Sequence, residues 1–329
     1  MSNTDAGREA AGFCAGLVRT HDFTRYVSTL FVPPEQRRAL VALYAFNVEI
    51  FRVHQQVSQP LPGEIRLQWW TDMLAGTGHG GVEGNPVAAE LMLAIRNWRL
   101  PVERLSRLID EHQFDLYNDP MPTMAALEGY INDTSSALFS LGAGIVARPS
   151  EEVEHLARHA GLAQGMMQVM AALPLDASRR QLFVPQQLLE SHGCAIEEVF
   201  AGKQTPKLRA ALDQLLGEAR GHLETALALL ADVPPEVRRA LTGTAAIAAA
   251  PSTTISGQCA PSRCPRPAPR ARFSALCAAP MPTSRPVAAI RPTAVTTPRS
   301  RLAASSWARA VVTLWSSWFR SVVSSPESA

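Results

Sequence analysis

Two carboxylates four residues apart on a helix lie about one turn from each other on the same face, an arrangement that can share a divalent cation. Glu111 and Asp115 have that spacing, and Asp110, Asp119 and Asp133 are near them in sequence. Two readings stay open: a metal-holding face, or a solvated acidic face on a surface helix. A single pair cannot clamp a metal from two sides. The other candidates are thinner. His21-Asp22 and His54 are titratable, but a lone histidine is more often hydrogen-bonded than ligating. Cys259 and Cys264 have no histidine at zinc spacing. Ser135-Ser136 lies outside the strand-to-helix turn that exposes a nucleophilic serine. Gly76, Gly78, Gly80, Gly81 and Gly84 follow a helical stretch without the lysine of a phosphate loop, which predicts a flexible connector.

The elements that must position such residues are helices. Val102, Leu105, Leu108, Ile109 and Leu116 recur at helical spacing behind Pro101. Leu208, Leu212, Leu215, Ala219, Leu223, Ala226 and Leu230 keep a three-to-four rhythm, while Arg209, Asp213, Glu218 and Glu224 fall off that stripe. Thr123 and Ser150 read as N-caps, the latter followed by Glu151 and Glu152. The pattern predicts helices over 8–20, 35–57, 64–75, 86–98, 101–117, 123–132, 134–147, 151–171, 185–191 and 207–231. Breakers separate them at Pro33-Pro34, Pro60 to Gly63, Gly76 to Gly84, Pro120 with Pro122, and Pro149. No segment alternates with period two, so the expectation is an all-α bundle with short loops.

The 329 residues divide by charge. Residues 246–329 hold ten Arg, no Lys and a single acid, Glu327, so the net charge of +2 hides an acidic body and a basic tail. From residue 243 onward lie 11 of the 25 Pro and three of the five Cys. The expected division is a helical domain over 8–242 and a basic Pro/Ala/Arg/Ser-rich tail over 243–329. Two origins of that tail stay open: native disorder, or a shifted reading frame. Ala308 to Val323 could form a short Trp-bearing helix with weak affinity for a membrane surface. The tail's arginines lack interleaved aromatics, and no nucleic-acid partner is expected. No run of 18 apolar residues is free of charge and proline, so no spanning helix is expected. The acidic start and an odd cysteine count predict no signal or transit peptide and a reducing, cytoplasmic setting, with peripheral membrane contact open.

Several blocks carry a family likeness. Leu30 to Phe46 (LFVPPEQRRALVALYAF), Ile65 to Trp70 (IRLQWW), Leu182 to Pro185 (LFVP) with Leu188-Leu189, and His192-Gly193 resemble the squalene/phytoene synthase family, in order over about residues 17–240. The resemblance implies the all-α isoprenoid synthase fold. It also implies head-to-head joining of prenyl diphosphates, with Mg²⁺ held by two aspartate-rich motifs. A diphosphate must leave before the allylic cation forms, and bound Mg²⁺ stabilises the departing oxygens.

The chain departs from the family where the metal should bind. After Tyr44-Ala45-Phe46 only Glu49 is acidic, with no acid four residues away, and the second motif's two positions fall on Ala172 and Asp176. Glu49 and Asp176 are therefore the degenerate motif positions, and no catalytic or metal residue is assigned. The resemblance makes Tyr44, Phe46, Gln164 and Gln168 candidate pocket-lining residues; Trp69, Trp70 and Phe139 read mainly as core. Thr24-Arg25 stands near the family's Ser-Phe beside the substrate phosphate. Ala45-Phe46-Asn47-x-Glu49, Val57 to Pro60 with Gly63 to Trp70, and Gly161 to Gly165 resemble a subgroup that includes mitochondrial complex I assembly factor 6 and its bacterial relatives. That implies a non-catalytic assembly or lipid-binding factor with a protein partner and an isoprenoid as a possible ligand. The alternative is an Mg²⁺-dependent head-to-head prenyltransferase acting on prenyl diphosphates.

Overall fold

The computed structural model describes residues 3–77, 84–235 and 237–238; the tail expected from residue 243 and the helix expected over 308–323 lie outside the described residues. Thirteen α-helices are described: α1 (Asn3–His21), α2 (Phe23–Thr29), α3 (Pro34–Phe51), α4 (Val53–Gln56), α5 (Pro60–Ala75), α6 (Pro86–Trp98), α7 (Val102–Glu111), α8 (Met124–Ile131), α9 (Ala137–Val146), α10 (Glu151–Ser178), α11 (Gln186–Ser191), α12 (Ile196–Phe200) and α13 (Pro206–Leu229). A 3₁₀ turn spans Phe114–Leu116, a π-turn spans Asn132–Ser136, and no strand occurs among the described residues. The fold is all-α.

The central helix is α3. Eight consecutive residues, Ala39 to Phe46, are all buried, so this helix is surrounded instead of lying on a surface. Its core joins α1, α5, α6, α7 and α9 through Val18, Leu43, Phe46, Leu67, Leu91 and Leu105. A second core forms between α8, α10, α11 and α13 around Leu127, Met166, Leu189 and Leu215. The long helix α10 supplies much of the second core, and α13 packs along it.

The caps fall where their residue types demand. Thr123 Oγ1 accepts from Ala126 N at 3.1 Å, and Ser150 Oγ accepts from Val153 N at 3.3 Å. Close approach of α10 to the π-turn depends on glycine. A Cβ on Gly161 would lie 2.3 Å from Ser136 Cα, and one on Gly165 2.4 Å from Ile131 Cγ2. Ser136 Oγ donates to Arg158 O at 3.0 Å across the same junction.

Several boundaries differ from the expectation. Helix 8–20 begins earlier, at Asn3, and helix 134–147 is α-helical only from Ala137, behind the π-turn. Helix 35–57 breaks after Phe51 and resumes at Val53. The stretch Pro60 to Gly63 is the first turn of α5, since proline at N1 needs no N–H partner and Gly63 lets Leu116 close on the helix. Helix 101–117 ends at Glu111. Helix α10 runs past Pro174 to Ser178 instead of ending at 171. The short helices α2 and α12 were not foreseen.

Candidate functional site

Two polar groups are buried between these helices. The first is built on α2. Asp22 caps that helix, its Oδ1 accepting from Arg25 N at 3.1 Å, and its Oδ2 lies 2.5 Å from Arg25 Nη1. Arg25 is 6 % exposed. Its Nη2 donates to Gln164 Oε1 of α10 at 3.3 Å, and its guanidinium lies 5.8 Å from the centre of the Tyr44 ring of α3. Burial pushes the Tyr44 hydroxyl up to about 12. An ion pair, an amide and a phenol thus meet at the junction of three helices.

The second group gathers at the far end of α10. Asp115 sits on the 3₁₀ turn after α7. Its Oδ2 lies 2.6 Å from His112 Nδ1, and its Oδ1 accepts from the Tyr130 hydroxyl of α8 at 2.9 Å. Gln181 Nε2 donates to Asp115 O at 2.6 Å. His54 of α4 brings Nδ1 to 4.0 Å from Asp115 Oδ2. Two buried atoms here have no hydrogen-bond partner: His54 Nδ1 and Gln181 Oε1. Burial pushes Asp176 up to about 6; the nearby Arg179 opposes that shift and Asp115 adds to it. Burial also raises Glu111, helped by Asp133, and burial lowers His54. Rings close the group: Phe51 stands edge-on to His54 and His112 at 5.4 and 6.1 Å, and Phe114, Tyr130 and Phe183 pack mutually.

The candidates from sequence separate between these groups. Tyr44 and Gln164 meet at Arg25. Phe46 is fully buried against Trp70 at 5.2 Å, and Gln168 is exposed. Glu49 is half-buried on a face of α3 where its charge reaches Cys14 of α1; burial, with Glu90, pushes that thiol up to about 12. Asp176 is buried beside Asp115 and Tyr130. No hydrogen bond or ion pair joins Glu49 to Asp176 among the described residues. The Glu111–Asp115 pair is not a shared face either: the helix ends between them, and Asp115 turns inward because His112 and Tyr130 supply its hydrogen bonds. The solvated-face reading fails for Asp115 for the same reason.

These residues do not fit the Mg²⁺ that the resemblance implies. Mg²⁺ asks for carboxylate oxygens converging from two sides. Asp176 has Ala172 one turn before it, and Glu49 has no acid four residues to either side. Among the described residues no group of three or more His, Cys, Asp or Glu is arranged to hold a metal ion. His112, Tyr130 and Gln181 escaped the sequence reading. Only the His112-x-x-Asp115 spacing hinted at them, because the other contacts join segments remote in the chain.

The comparisons with known proteins give the family and the fold. The family profile described as squalene/phytoene synthase matches residues 18–258. The mouse protein named NADH dehydrogenase (ubiquinone) complex I, assembly factor 6 is 31 % identical over 224 residues, covering 68 % of this chain and 67 % of that protein. Phytoene synthase of Thermus thermophilus is 27 % identical over 230 residues, covering 65 % of this chain and 76 % of the enzyme. The crystal structure of squalene synthase HpnC from Alicyclobacillus acidocaldarius superposes with a TM-score of 0.63 at 22 % identity, covering 74 % of this chain and 93 % of that one.

Proposed function

The chain belongs to the squalene/phytoene synthase family, and on that premise we propose that it is a non-catalytic factor in the assembly of NADH:ubiquinone oxidoreductase. One observation carries the reading. The two acids left at the motif positions each lack the partner carboxylate one turn away that a metal-bound diphosphate needs: Ala172 stands four residues before Asp176, and Ala45 and Val53 stand four residues either side of Glu49. A relative named as an assembly factor shares about two thirds of both chains at 31 % identity. Fold membership alone does not confer the synthase reaction.

What the fold supplies in this reading is a rigid helical body. The buried groups around Arg25 and Asp115 fix α2, α8 and the end of α10 against their neighbours. A protein of the nascent respiratory complex is the partner, and an isoprenoid is the ligand class that the helical architecture suits. Among the described residues no helix is long and apolar enough to cross a membrane.

Deleting the gene in its own organism tests the reading. Assembled complex on a native gel, and NADH:ubiquinone oxidoreductase activity, should fall and should return with the wild-type chain and equally with Asp176→Ala. The second reading is the prenyltransferase, favoured by Asp176 standing in register and by the likeness to phytoene synthase. Purified protein incubated with farnesyl or geranylgeranyl diphosphate and Mg²⁺ decides it. Metal-dependent release of pyrophosphate that disappears in Asp176→Ala would overturn the assembly-only reading.

A further inference from the structure

A cluster of imidazoles lies away from both buried groups, where α10 and α13 run side by side. His159 of α10 and His222 of α13 meet with their Nδ1 atoms 2.9 Å apart, one Nδ1–H donating to the other nitrogen. Their rings are 5.1 Å apart and inclined by 42°. One turn before His159 on the same helix is His155, its ring 6.5 Å from that of His159. His155 is exposed, and His159 and His222 are each part-exposed, so the cluster is open to solvent.

We propose that His159 and His222 form a two-imidazole chelate for a late first-row divalent cation such as zinc or nickel, with water in the remaining positions. Imidazole suits these metals better than it suits Mg²⁺. At metal–nitrogen distances of roughly 2.0–2.1 Å, two donors at right angles stand about 2.9 Å apart, and tetrahedral donors roughly 3.3 Å. The observed separation is already in this range. The pair now shares a proton along the line between its nitrogens. To bind, both rings swing a little so that their lone pairs converge, and the proton between them moves to an Nε2. Each ring is then a neutral donor, and no oxidant or further reactant is needed. Burial lowers the affinity of His159 for protons, with help from the charges of His222 and Arg158, which favours the neutral ligand form near neutral pH. Arg158 repels a dication and sets a limit on the affinity.

The cation would clip α10 to α13, which form one of the main helix contacts of the fold. Binding to the folded chain alone stabilises it by mass action. The test uses the untagged full chain, since a polyhistidine tag would chelate by itself. With millimolar zinc or nickel the thermal midpoint should rise by several degrees, with Mg²⁺ giving no comparable rise. His159→Ala and His222→Ala should each abolish the rise, and His155→Ala should leave it in place. The shielded variant His222→Gln keeps a hydrogen-bonding side chain at that place, so it guards against loss of folding; it should stay helical by circular dichroism yet fail to respond. No rise in the wild-type chain overturns the proposal. So does a rise that survives in the His159→Ala/His222→Ala double variant, because the metal is then held elsewhere, as by the tail cysteines.

Discussion

The two buried polar groups solve the same problem in different ways. Around Arg25 a fixed cation answers a fixed anion at 2.5 Å, and Gln164 and Tyr44 complete the shell. At the end of α10 the acids outnumber the fixed cations. Asp115, Asp176 and Glu111 gather with Arg179, and His54, whose Nδ1 lies 4.0 Å from Asp115 Oδ2, is pushed toward its neutral form by burial. The first group is balanced by geometry, and the second needs protons. Burying charge costs several kcal/mol unless it is paired, so the two groups must respond differently to mutation and to pH.

The sharpest break in that contrast is at Asp115. Asp115→Ala strips the acceptor from the Tyr130 hydroxyl and from His112 Nδ1 at a place where Asp115 and His112 are buried. A loss of about 3–5 kcal/mol is expected, read as a lower urea midpoint. An unchanged midpoint would mean that the polar group contributes nothing to holding α8 against the turn after α7.

Arg25→Met comes next. It removes the cation and leaves Asp22 as a partly buried anion whose only remaining role is to cap α2. About 2–4 kcal/mol should be lost. The loss should be nearly constant from weakly acidic to weakly alkaline pH, because arginine keeps its charge throughout. A loss that varied steeply with pH across that span would erase the distinction between the groups.

Asp176→Asn should act in the opposite sense. The folded state raises this carboxyl from 3.8 to about 6, mainly by burial. A group whose pKa is raised on folding lends its full stabilisation below the unfolded value and loses it as pH rises through the folded value. Wild type therefore gives up stability between pH 4 and pH 7 at this site, and asparagine does not. The full shift corresponds to about 3 kcal/mol. Water around the neighbouring Arg179 and Glu111 screens it, and about 1–2 kcal/mol is expected. The variant should melt higher than wild type at neutral pH, with the gap closing toward pH 4. A variant that melts lower at neutral pH would show that the ionised carboxyl makes a favourable contact.

Much of the fold could be read from spacing and caps alone. The heptad-like stripe over 207–231 became α13, and Thr123 and Ser150 cap where expected. What escaped was set by tertiary contact. Nothing local says that α3 must stop at Phe51, or that Pro174 can ride inside α10. The site was legible only as a deficiency: the sequence shows which carboxylates are missing, but not that His112, Tyr130 and Gln181 close around Asp115 from three other segments. Pair spacing also misled at Glu111 and Asp115, since a helix end between two residues destroys the shared face that a four-residue interval promises.

The smallest effect belongs to Glu49, and it sharpens the comparison most economically. If Glu49 and Asp176 were remnants of one working clamp, replacing either would alter the other. The structure instead places Glu49 half-exposed, with its charge felt at Cys14, and links Asp176 to Asp115. Glu49→Gln should change stability by no more than about 0.5 kcal/mol, as for a surface substitution that makes no named contact. Combined with Asp176→Asn, the two changes should add within about 0.5 kcal/mol, as independent sites do. The measurement is a double-mutant cycle by urea denaturation at neutral pH. A coupling well above that limit would mean that the two acids sense each other across the bundle and belong to a single site.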